Sequence, residues 1–232
     1  MADIAVIFDV GNVLYHWNPR VLYERLIDDD RALDAFLRDV VTLDWHFQHD
    51  QGRPFAETSA ELIARHPEQA ALIRVWGERF IDSIGPAVEG MPQIVHELHA
   101  GGIPLFAITN FSDEFWAPFR AREAELFALF SDIVVSGTEK LVKPDPAIYR
   151  LALERFGLDA EQVLFIDDRE ENVLGAEAEG MRGHLFRDAA TLRRDLAGLN
   201  LIGPAQPELT FVRARLELAS IRFAWETPQD GS

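Results

Sequence analysis

Acidic side chains follow two short apolar segments of this chain, at the points where each segment would end as a buried β-strand. Asp9 follows residues 4–8, and the adjacent carboxylates of Asp167 and Asp168 follow residues 163–166. Carboxylate oxygens are preferred ligands of hard divalent cations such as Mg²⁺. Two strands that end in carboxylates therefore suggest one divalent metal ion between them.

Two further polar side chains lie in comparable places. Thr109 follows the apolar run 103–108, and Lys143 lies in a loop before a helix. A hydroxyl and an ammonium group can bind phosphate oxygens together. Taken singly, each of these residues is as well explained as a turn former, a helix cap or a solvated charge. The prediction of a metal and phosphate site therefore depends on their combination.

The composition describes an acidic chain with enough apolar residues for a packed interior. Its 232 residues are 48% apolar and carry 39 acidic against 22 basic side chains, for a formal net charge of -17. This charge opposes binding to nucleic acid and to anionic membranes. The chain has no cysteine, and no apolar run approaches the roughly 18 residues of a membrane span. We expect a cytoplasmic monomer or homodimer that binds neither nucleic acid nor membrane.

From about residue 90, short apolar runs alternate with amphipathic segments. The predicted strands lie at 103–108, 133–135, 163–166 and 183–186, and the predicted helices at 92–100, 112–126, 147–156 and 170–179. This alternation is typical of a doubly wound α/β fold, a Rossmann-like parallel sheet with helices on both faces. Ligands bind such sheets outside the carboxyl ends of the strands, so we expect Asp9, Thr109 and Asp167 on one rim.

Residues 16–89 interrupt the alternation and look helical throughout. The candidate helices lie at 19–27, 31–40, 55–66 and 68–84. We interpret this segment as an inserted helical cap, over a core formed by residues 1–15 and 90–200, that could close on a substrate. Residues 201–232 form a C-terminal extension that reads equally as a strand pair or a helix, and we assign it no function.

The ordered set of motifs resembles the haloacid dehalogenase superfamily of hydrolases. The matching segments, from the first motif to the fourth, are Phe8-Asp9-Val10-Gly11-Asn12-Val13-Leu14, Ile108-Thr109-Asn110, Lys143-Pro144, and Phe165-Ile166-Asp167-Asp168 followed by Asn172. The inserted helices are similar to the C1-type cap of subfamily IA. The resemblance covers about residues 3–190 and implies a hydrolase with a Rossmann-like core.

The resemblance implies a magnesium-dependent phosphatase that acts on a small phosphorylated metabolite. Asp9 would be the nucleophile and would form an aspartyl-phosphate, which divides the hydrolysis into two displacements. Mg²⁺ would bind Asp9, the backbone carbonyl of Gly11 and Asp168. Asp167 and Asn172 would act on the metal directly or through water.

The same resemblance assigns a phosphate-binding set around the nucleophile. Thr109 would donate its hydroxyl and Asn110 nearby donors to the transferring oxygens, and Gly11 would border them. Lys143 would add a positive charge that also steadies the carboxylate of Asp9. Asp9, Thr109 and Lys143 are therefore the expected catalytic residues.

Gly11 departs from the pattern of most phosphatases in the superfamily, which place a second Asp two residues after the nucleophile to protonate the leaving oxygen. General acid catalysis contributes about 10²–10⁴-fold, so its loss would slow hydrolysis without abolishing it. Either the leaving group needs little protonation, or a histidine of the cap, His16, His46 or His49, supplies the proton. We favour the first explanation.

The first motif followed by Trp17-Asn18-Pro19-Arg20 is similar to a bacterial branch that shares this glycine and includes phosphatases of glucose 1-phosphate. The cap would then select the substrate. Its most polar segment is the expected place for sugar contacts: His46, Gln48, His49, Asp50, Gly52 and Arg53. His49 and Arg53 also read as ordinary surface residues, and Trp17 and Trp45 as part of the cap core.

Three other functions fit parts of the pattern. A haloacid dehalogenase would use the same nucleophile without a metal, but Asp167 and Asp168 would then place uncompensated charge beside it. A phospho-accepting receiver domain has a similar set of side chains in a different order along the chain. A catalytically weak phospho-ligand binding protein is favoured only by Gly11.

Overall fold

The computed structural model describes residues 4–203, so the predicted strand pair or helix of the extension lies outside the described residues from position 204 onward. The strands are β1 Ala5–Phe8, β2 Tyr15–Trp17, β3 Ile84–Ala87, β4 Leu105–Thr109, β5 Asp132–Val135, β6 Val163–Asp167 and β7 Arg182–Leu185. The α-helices are α1 Pro19–Tyr23, α2 Asp30–Asp39, α3 Leu43–Asp50, α4 Phe55–Arg65, α5 Ala70–Arg79, α6 Met91–Ala100, α7 Asp113–Arg122, α8 Ala124–Phe127, α9 Ser136–Glu139, α10 Pro146–Phe156, α11 Glu170–Ala178 and α12 Ala189–Gly198.

Five strands form one parallel sheet in the order β5-β4-β1-β6-β7. The central strand β1 pairs on both sides, with Val6 beside Leu105 of β4 and Leu164 of β6. The chain order reverses at β1, and in such sheets the ligand crevice lies at this switch point. The predicted doubly wound α/β fold is confirmed.

Alternation along β1 divides the interior into two apolar layers. Val6 and Phe8 face one layer, and Ala5 and Ile7 face the other, because successive side chains of a strand point to opposite faces. Helices α6 and α12 cover the first face, and α10 and α11 cover the second. Both faces of β1 are therefore buried, which explains its continuous apolar sequence.

Capping residues set the helix ends where the sequence predicts them. Asp145 precedes α10 and accepts a hydrogen bond from the backbone N–H of Ala147 at 2.8 Å, with Pro146 in the first turn. Gly157 ends the same helix with φ of 66°, the left-handed conformation that glycine adopts at least cost. These ends fix the loop that carries Lys143.

The segment predicted as one helix over 112–126 forms two helices in the structure. The backbone leaves helical geometry at Glu123, which separates α7 from the short helix α8. The break lets Phe127 of α8 turn inward, where its ring packs 5.6 Å from Phe119 and 5.9 Å from Tyr15. Tertiary packing therefore overrides local helix propensity here.

The inserted segment is not helical throughout, contrary to the sequence prediction. Strands β2 and β3 pair antiparallel at the two ends of the segment, with Tyr15 beside Ala87 and Trp17 beside Ile84. Helices α1 to α5 lie between them in the chain, and α3 was not among the predicted helices. We call residues 15–87 the insert. No helix among the described residues is long and apolar enough to cross a membrane.

Candidate active site

Asp9 lies immediately after β1, at the rim that the sequence predicts. Its backbone N–H donates to the carbonyl of Ile166 at 2.8 Å, which extends the pairing of β1 with β6. One carboxylate oxygen of Asp9 accepts from the backbone N–H of Val10 and lies 2.8 Å from the ammonium nitrogen of Lys143. The sheet thus holds the candidate nucleophile against a buried cation.

Lys143 joins two carboxylates at the bottom of the site. Its Nζ lies 2.6 Å from Asp167 as well as 2.8 Å from Asp9, and its side chain is almost completely buried. Burial alone would lower the pKa of Lys143, but the charges of Asp167 and Asp9 outweigh it and raise the pKa. Lys143 is therefore a permanent positive charge beside the nucleophile.

Asn110 positions the loop that carries Lys143. Its amide nitrogen donates to the Lys143 carbonyl at 3.0 Å, and its amide oxygen accepts from the Lys143 backbone N–H at 2.8 Å. The side chain that was expected to donate to phosphate thus uses one of its N–H groups to hold the lysine. Asn110 couples the end of β4 to the third motif.

Asp167 accepts hydrogen bonds on both carboxylate oxygens. One receives the Arg169 backbone N–H at 2.9 Å, the other contacts Lys143, and the amide of Asn172 reaches both at 3.0 and 3.1 Å. Tyr149 in turn donates to the Asn172 carbonyl at 2.8 Å. Asp167 and Asn172 therefore form a braced support for the lysine.

A metal could bind on the open side of this support. Asp9, Asp167 and Asp168 each offer an oxygen within 4.8 Å of the others, and an all-oxygen set suits Mg²⁺. Asp168 lines the cavity above Asp9. Its pKa is raised, mainly by burial and then by Asp167. The donor set fits a hard divalent cation.

The pKa of Asp9 also indicates a site short of positive charge. Burial, Asp167 and Asp168 raise the pKa of Asp9 and Lys143 lowers it, and together they leave it at about 7. A second cation at this point would favour the ionised carboxylate that nucleophilic attack requires. One lysine does not balance three clustered carboxyl groups.

Thr109 and Gly11 lie where the sequence predicts, but in different surroundings. Thr109 ends β4 and is buried, and its hydroxyl has no hydrogen-bond partner in the described part of the chain. A buried unpartnered hydroxyl is costly unless something binds it. Gly11 lines the cavity, and a Cβ built there would meet no atom within 4 Å.

A cavity of about 500 Å³ opens above Asp9, between the rim and the insert. The insert and the neighbouring α7 region supply most of its aromatic lining. The aromatic residues are Tyr15, Trp17, Phe47, Phe80, Phe111 and Phe119. Lys143 and Arg169 are the cationic residues of this lining, and each is paired with acidic side chains. The insert also contributes the carboxyl groups of Asp44 and Asp50, so the cavity combines aromatic rings with acidic groups and has no unpaired cation among the described residues that line it.

The polar segment of the insert is arranged differently from the prediction. His49 is fully buried rather than a surface residue, and its Nε2 lies 2.7 Å from the hydroxyl of Thr58. Trp45 belongs to the core of the insert, as predicted, whereas Trp17 lines the cavity and stacks on His46 at 4.8 Å. Arg53, read as a sugar contact or an ordinary surface residue, is partly exposed and forms an ion pair with Glu61 at 2.7 Å.

Sequence reasoning missed Asp50 as a distinct part of the site. It was grouped with possible sugar contacts, yet the structure places it at the end of α3 on the cavity wall, almost fully buried. Burial and the charge of Asp9 raise its pKa to about 8. The sequence shows only that a carboxylate follows His49. Its apolar pattern does not reveal the helix to which both residues belong.

The structure combines a parallel α/β sheet, an Asp-Lys-Asp cluster at its carboxyl rim and helices inserted after the first strand. The chain belongs to the haloacid dehalogenase-like hydrolase family, whose model matches residues 5–180. The recognised superfamily is thus confirmed.

Two curated relatives are named as phosphatases. The sesquiterpene phosphatase astK of Aspergillus oryzae is 28% identical over 194 residues, covering 81% of this chain and 92% of the relative. Phosphoglycolate phosphatase 1 of Pseudomonas aeruginosa is 30% identical over 117 residues, and the match spans 50% of this chain and only 43% of that relative.

Solved structures share the fold at low sequence identity. A HAD family enzyme from Bacteroides thetaiotaomicron, in complex with magnesium and inorganic phosphate, has a TM-score of 0.62 at 18% identity, covering 80% of this chain and 94% of its own. A HAD-like hydrolase from Porphyromonas gingivalis has a TM-score of 0.66 at 18% identity, with 86% and 98% covered.

Proposed function

We propose that this protein is a magnesium-dependent phosphatase that uses Asp9 as its nucleophile. The observation that carries the proposal is the buried contact of Asp9 with Lys143 at 2.8 Å, at the bottom of a cavity large enough for a small organic phosphate. The phosphatase names of the relatives support the same reaction class.

In the proposed reaction an oxygen of Asp9 attacks phosphorus as the bond to the ester oxygen breaks. The leaving group departs as an alcohol, and water then cleaves the aspartyl-phosphate to release inorganic phosphate. Lys143 offsets negative charge on the transferring group, and the unpartnered hydroxyl of Thr109 offers it a donor. Asn110 keeps Lys143 in place.

Mg²⁺ would be held by Asp9, Asp168 and the backbone carbonyl of Gly11. Its contribution would be positive charge, which offsets the repulsion between clustered carboxylates and a phosphate dianion. The two oxygens of Asp167 are already engaged by Lys143, Asn172 and the Arg169 backbone. We therefore assign Asp167 and Asn172 to the support of the site, with contact to the metal through water.

The lining favours a phosphate ester whose organic part is uncharged and partly apolar. A second anionic group, such as a carboxylate, would meet Asp44, Asp50 and Glu171 but no unpaired cation among the residues that line the cavity. Aromatic rings instead offer apolar contact. A prenyl or aryl monophosphate fits this wall better than phosphoglycolate, and a sugar phosphate would rely on His46 and Asp50 for hydrogen bonds.

The test is phosphate release from a prenyl monophosphate, an aryl phosphate, glucose 1-phosphate and phosphoglycolate, each with Mg²⁺ or with chelator. Asp9→Asn is the blank. We expect Mg²⁺-dependent release, fastest from the prenyl and aryl esters and absent from the variant. Equal release in chelator would contradict the metal, and turnover by Asp9→Asn would contradict the nucleophile.

The dehalogenase alternative is tested in parallel with a 2-haloacid. Asp167 and Asp168 beside Asp9 argue against it, because a haloacid carboxylate would enter a site that already holds clustered carboxylates. Halide release without Mg²⁺ and no phosphate release from any ester would replace the phosphatase by the dehalogenase. A lasting aspartyl-phosphate without turnover would instead favour a binding protein.

A further inference from the structure

Asp50 is a buried carboxyl group that the proposed phosphatase chemistry leaves without a role. It ends α3, is 5% exposed, and lines the same cavity as Asp9. Its Oδ1 has no hydrogen-bond partner in the part of the chain that the structure describes. A buried carboxyl oxygen without a partner at a reaction cavity is costly unless the bound substrate forms a hydrogen bond with it.

The backbone of Asp50 is tied directly to the core. The hydroxyl of Ser136, at the start of α9, donates to the Asp50 carbonyl at 2.7 Å and accepts from the Phe111 backbone N–H at 2.9 Å. A single hydroxyl thus connects the end of α3 with the loop after β4. This bond anchors the end of α3, which carries Asp50, to the rim.

The groups around Asp50 offset its burial less than those around Asp9 do. Lys143 contacts Asp9 directly, and Asp50 has no comparable cation among its contacts in residues 4–203. His46 lies 3.5 Å away, but burial and His49 lower the pKa of His46 to about 3, so it is neutral. Burial and Asp9 raise the pKa of Asp50 to about 8, against the opposing effects of Lys143 and the Ser112 amide.

Gly11 carries no side chain where related phosphatases have their acid, and no atom lies within 4 Å of a Cβ built there. Both Gly11 and Asp50 line the cavity that contains Asp9. A substrate whose phosphate lies at Asp9 therefore shares the cavity with the carboxyl group of Asp50 and finds no acid at position 11.

We propose that Asp50 is the proton donor to the leaving group, supplied by the insert in place of the missing acid at Gly11. This inference rests on the proposed phosphatase activity. As the P–O ester bond breaks, its electron pair stays on the leaving oxygen and takes the Asp50 proton, which gives a neutral alcohol and an Asp50 carboxylate. The carboxylate then accepts a proton from the water that attacks the aspartyl-phosphate, so phosphate is released and Asp50 is protonated again.

The experiment compares leaving groups in Asp50→Asn, which keeps shape but cannot donate the carboxyl proton. With Mg²⁺ present, kcat/KM is measured for an alkyl phosphate and for 2,4-dinitrophenyl phosphate, whose leaving group needs no proton. We expect a loss of about 10²–10⁴-fold for the alkyl ester and less than about tenfold for the dinitrophenyl ester. Asp39→Asn, an exposed carboxylate of α2, is the matched control and should behave as the wild type.

A second variant and the wild type keep the test decisive. Gly11→Asp added to Asp50→Asn should restore alkyl ester turnover by returning a carboxyl group to the same cavity. The wild type should show a shallow dependence of kcat/KM on leaving-group pKa. Equal losses for both esters in Asp50→Asn, or a steep dependence in the wild type, would overturn the role of Asp50. If the proposed phosphatase mechanism itself were wrong, Asp9→Asn would instead retain turnover of dinitrophenyl phosphate.

Discussion

The rim of the sheet and the insert face the same cavity but satisfy their polar groups very differently. At the rim, Asp9, Lys143, Asp167 and Asn172 form a connected set of ion pairs and hydrogen bonds. Seven buried side-chain polar atoms lack a partner among residues 4–203, and five of them lie in the insert, on Trp17, His46, His49, Asp50 and Trp76.

This difference separates two tasks. A fully bonded cluster on strand ends is rigid and holds the reacting groups in fixed geometry. Of the five unsatisfied groups of the insert, those of Trp17, His46 and Asp50 belong to residues that line the cavity, where a ligand could bond to them. Such groups are costly while no partner is bound. In the proposed function, the rim would perform the phosphoryl transfer, and the insert would supply the contacts to the organic group and the proposed acid.

The largest expected effect tests the rim. Asp9→Asn removes the nucleophile but keeps the shape of the side chain, so kcat should fall by at least about 10³-fold for every ester. Steady-state phosphate release with Mg²⁺ measures it. The amide cannot form the covalent intermediate. A smaller loss of kcat that varies between esters would therefore show that Asp9 at the rim is not the nucleophile.

The second effect tests how strongly the rim depends on its cation. Lys143→Met leaves Asp9 and Asp167 buried without their partner, which should cost about 3–5 kcal/mol in the free energy of unfolding and about 10²–10³-fold in kcat. Urea denaturation and kinetics measure the two losses. Lys140→Met, in the neighbouring loop, is the control. Unchanged stability in Lys143→Met would show that the cluster is not the braced unit described above.

The third effect is a pH-dependent difference in stability between the wild type and a variant of the insert. Folding raises the pKa of Asp50 from 3.8 to about 8, so the folded state binds this proton more tightly than the unfolded chain. Its stabilising contribution is complete below pH 3.8 and is lost as the pH rises through about 8. Without Mg²⁺, Asp50→Asn should match the wild type at pH 4 and exceed it by a few kcal/mol at pH 9.

Chemical denaturation across that pH range measures the difference. A variant that follows the wild type at every pH would mean that Asp50 is already ionised in the folded protein, which would also remove the basis for its role as an acid.

The smallest expected effect tests the apolar wall. Trp17→Ala removes a ring that lines the cavity and stacks on His46. KM for a prenyl monophosphate should rise about tenfold, the equivalent of 1–2 kcal/mol of apolar contact, while inhibition by inorganic phosphate stays unchanged. Leu174→Ala, at an exposed apolar residue of α11, is the control. If Trp17→Ala weakened inhibition by inorganic phosphate as much as it raised KM for the prenyl ester, Trp17 would act on the phosphate group at the rim rather than on the prenyl chain.

The sequence predicts the rim well and the insert poorly, for a physical reason. Buried parallel strands have continuous apolar runs, and the residue after each run must emerge at the carboxyl edge, so Asp9, Thr109 and Asp167 are placed by pattern alone. Strands β2 and β3 are only three and four residues long, and β3 contains Gly85 and Pro86. No periodic pattern can identify such segments.

Helix α3 was missed for the same reason, and the role of Asp50 with it. The helix has eight residues, and its sequence is too mixed to show a clear apolar face. Whether His46, His49 or Asp50 reaches the cavity depends on how α3 packs on Trp76, Phe55 and Ser136. Those contacts are distant in the chain, so local sequence does not determine them.

The hydroxyl of Ser136 couples the position of α3 to the moment at which the Asp50 carboxyl group is in place. It is bonded at once to the carbonyl of Asp50 and to the loop after β4, so lifting α3 from the sheet would break that bond and withdraw the carboxyl in one movement. An open molecule would then keep its nucleophile and lysine in register while lacking a proton donor. The P–O bond would then be cleaved only while α3 is in contact with the sheet, and the Ser136 hydroxyl would hold it there.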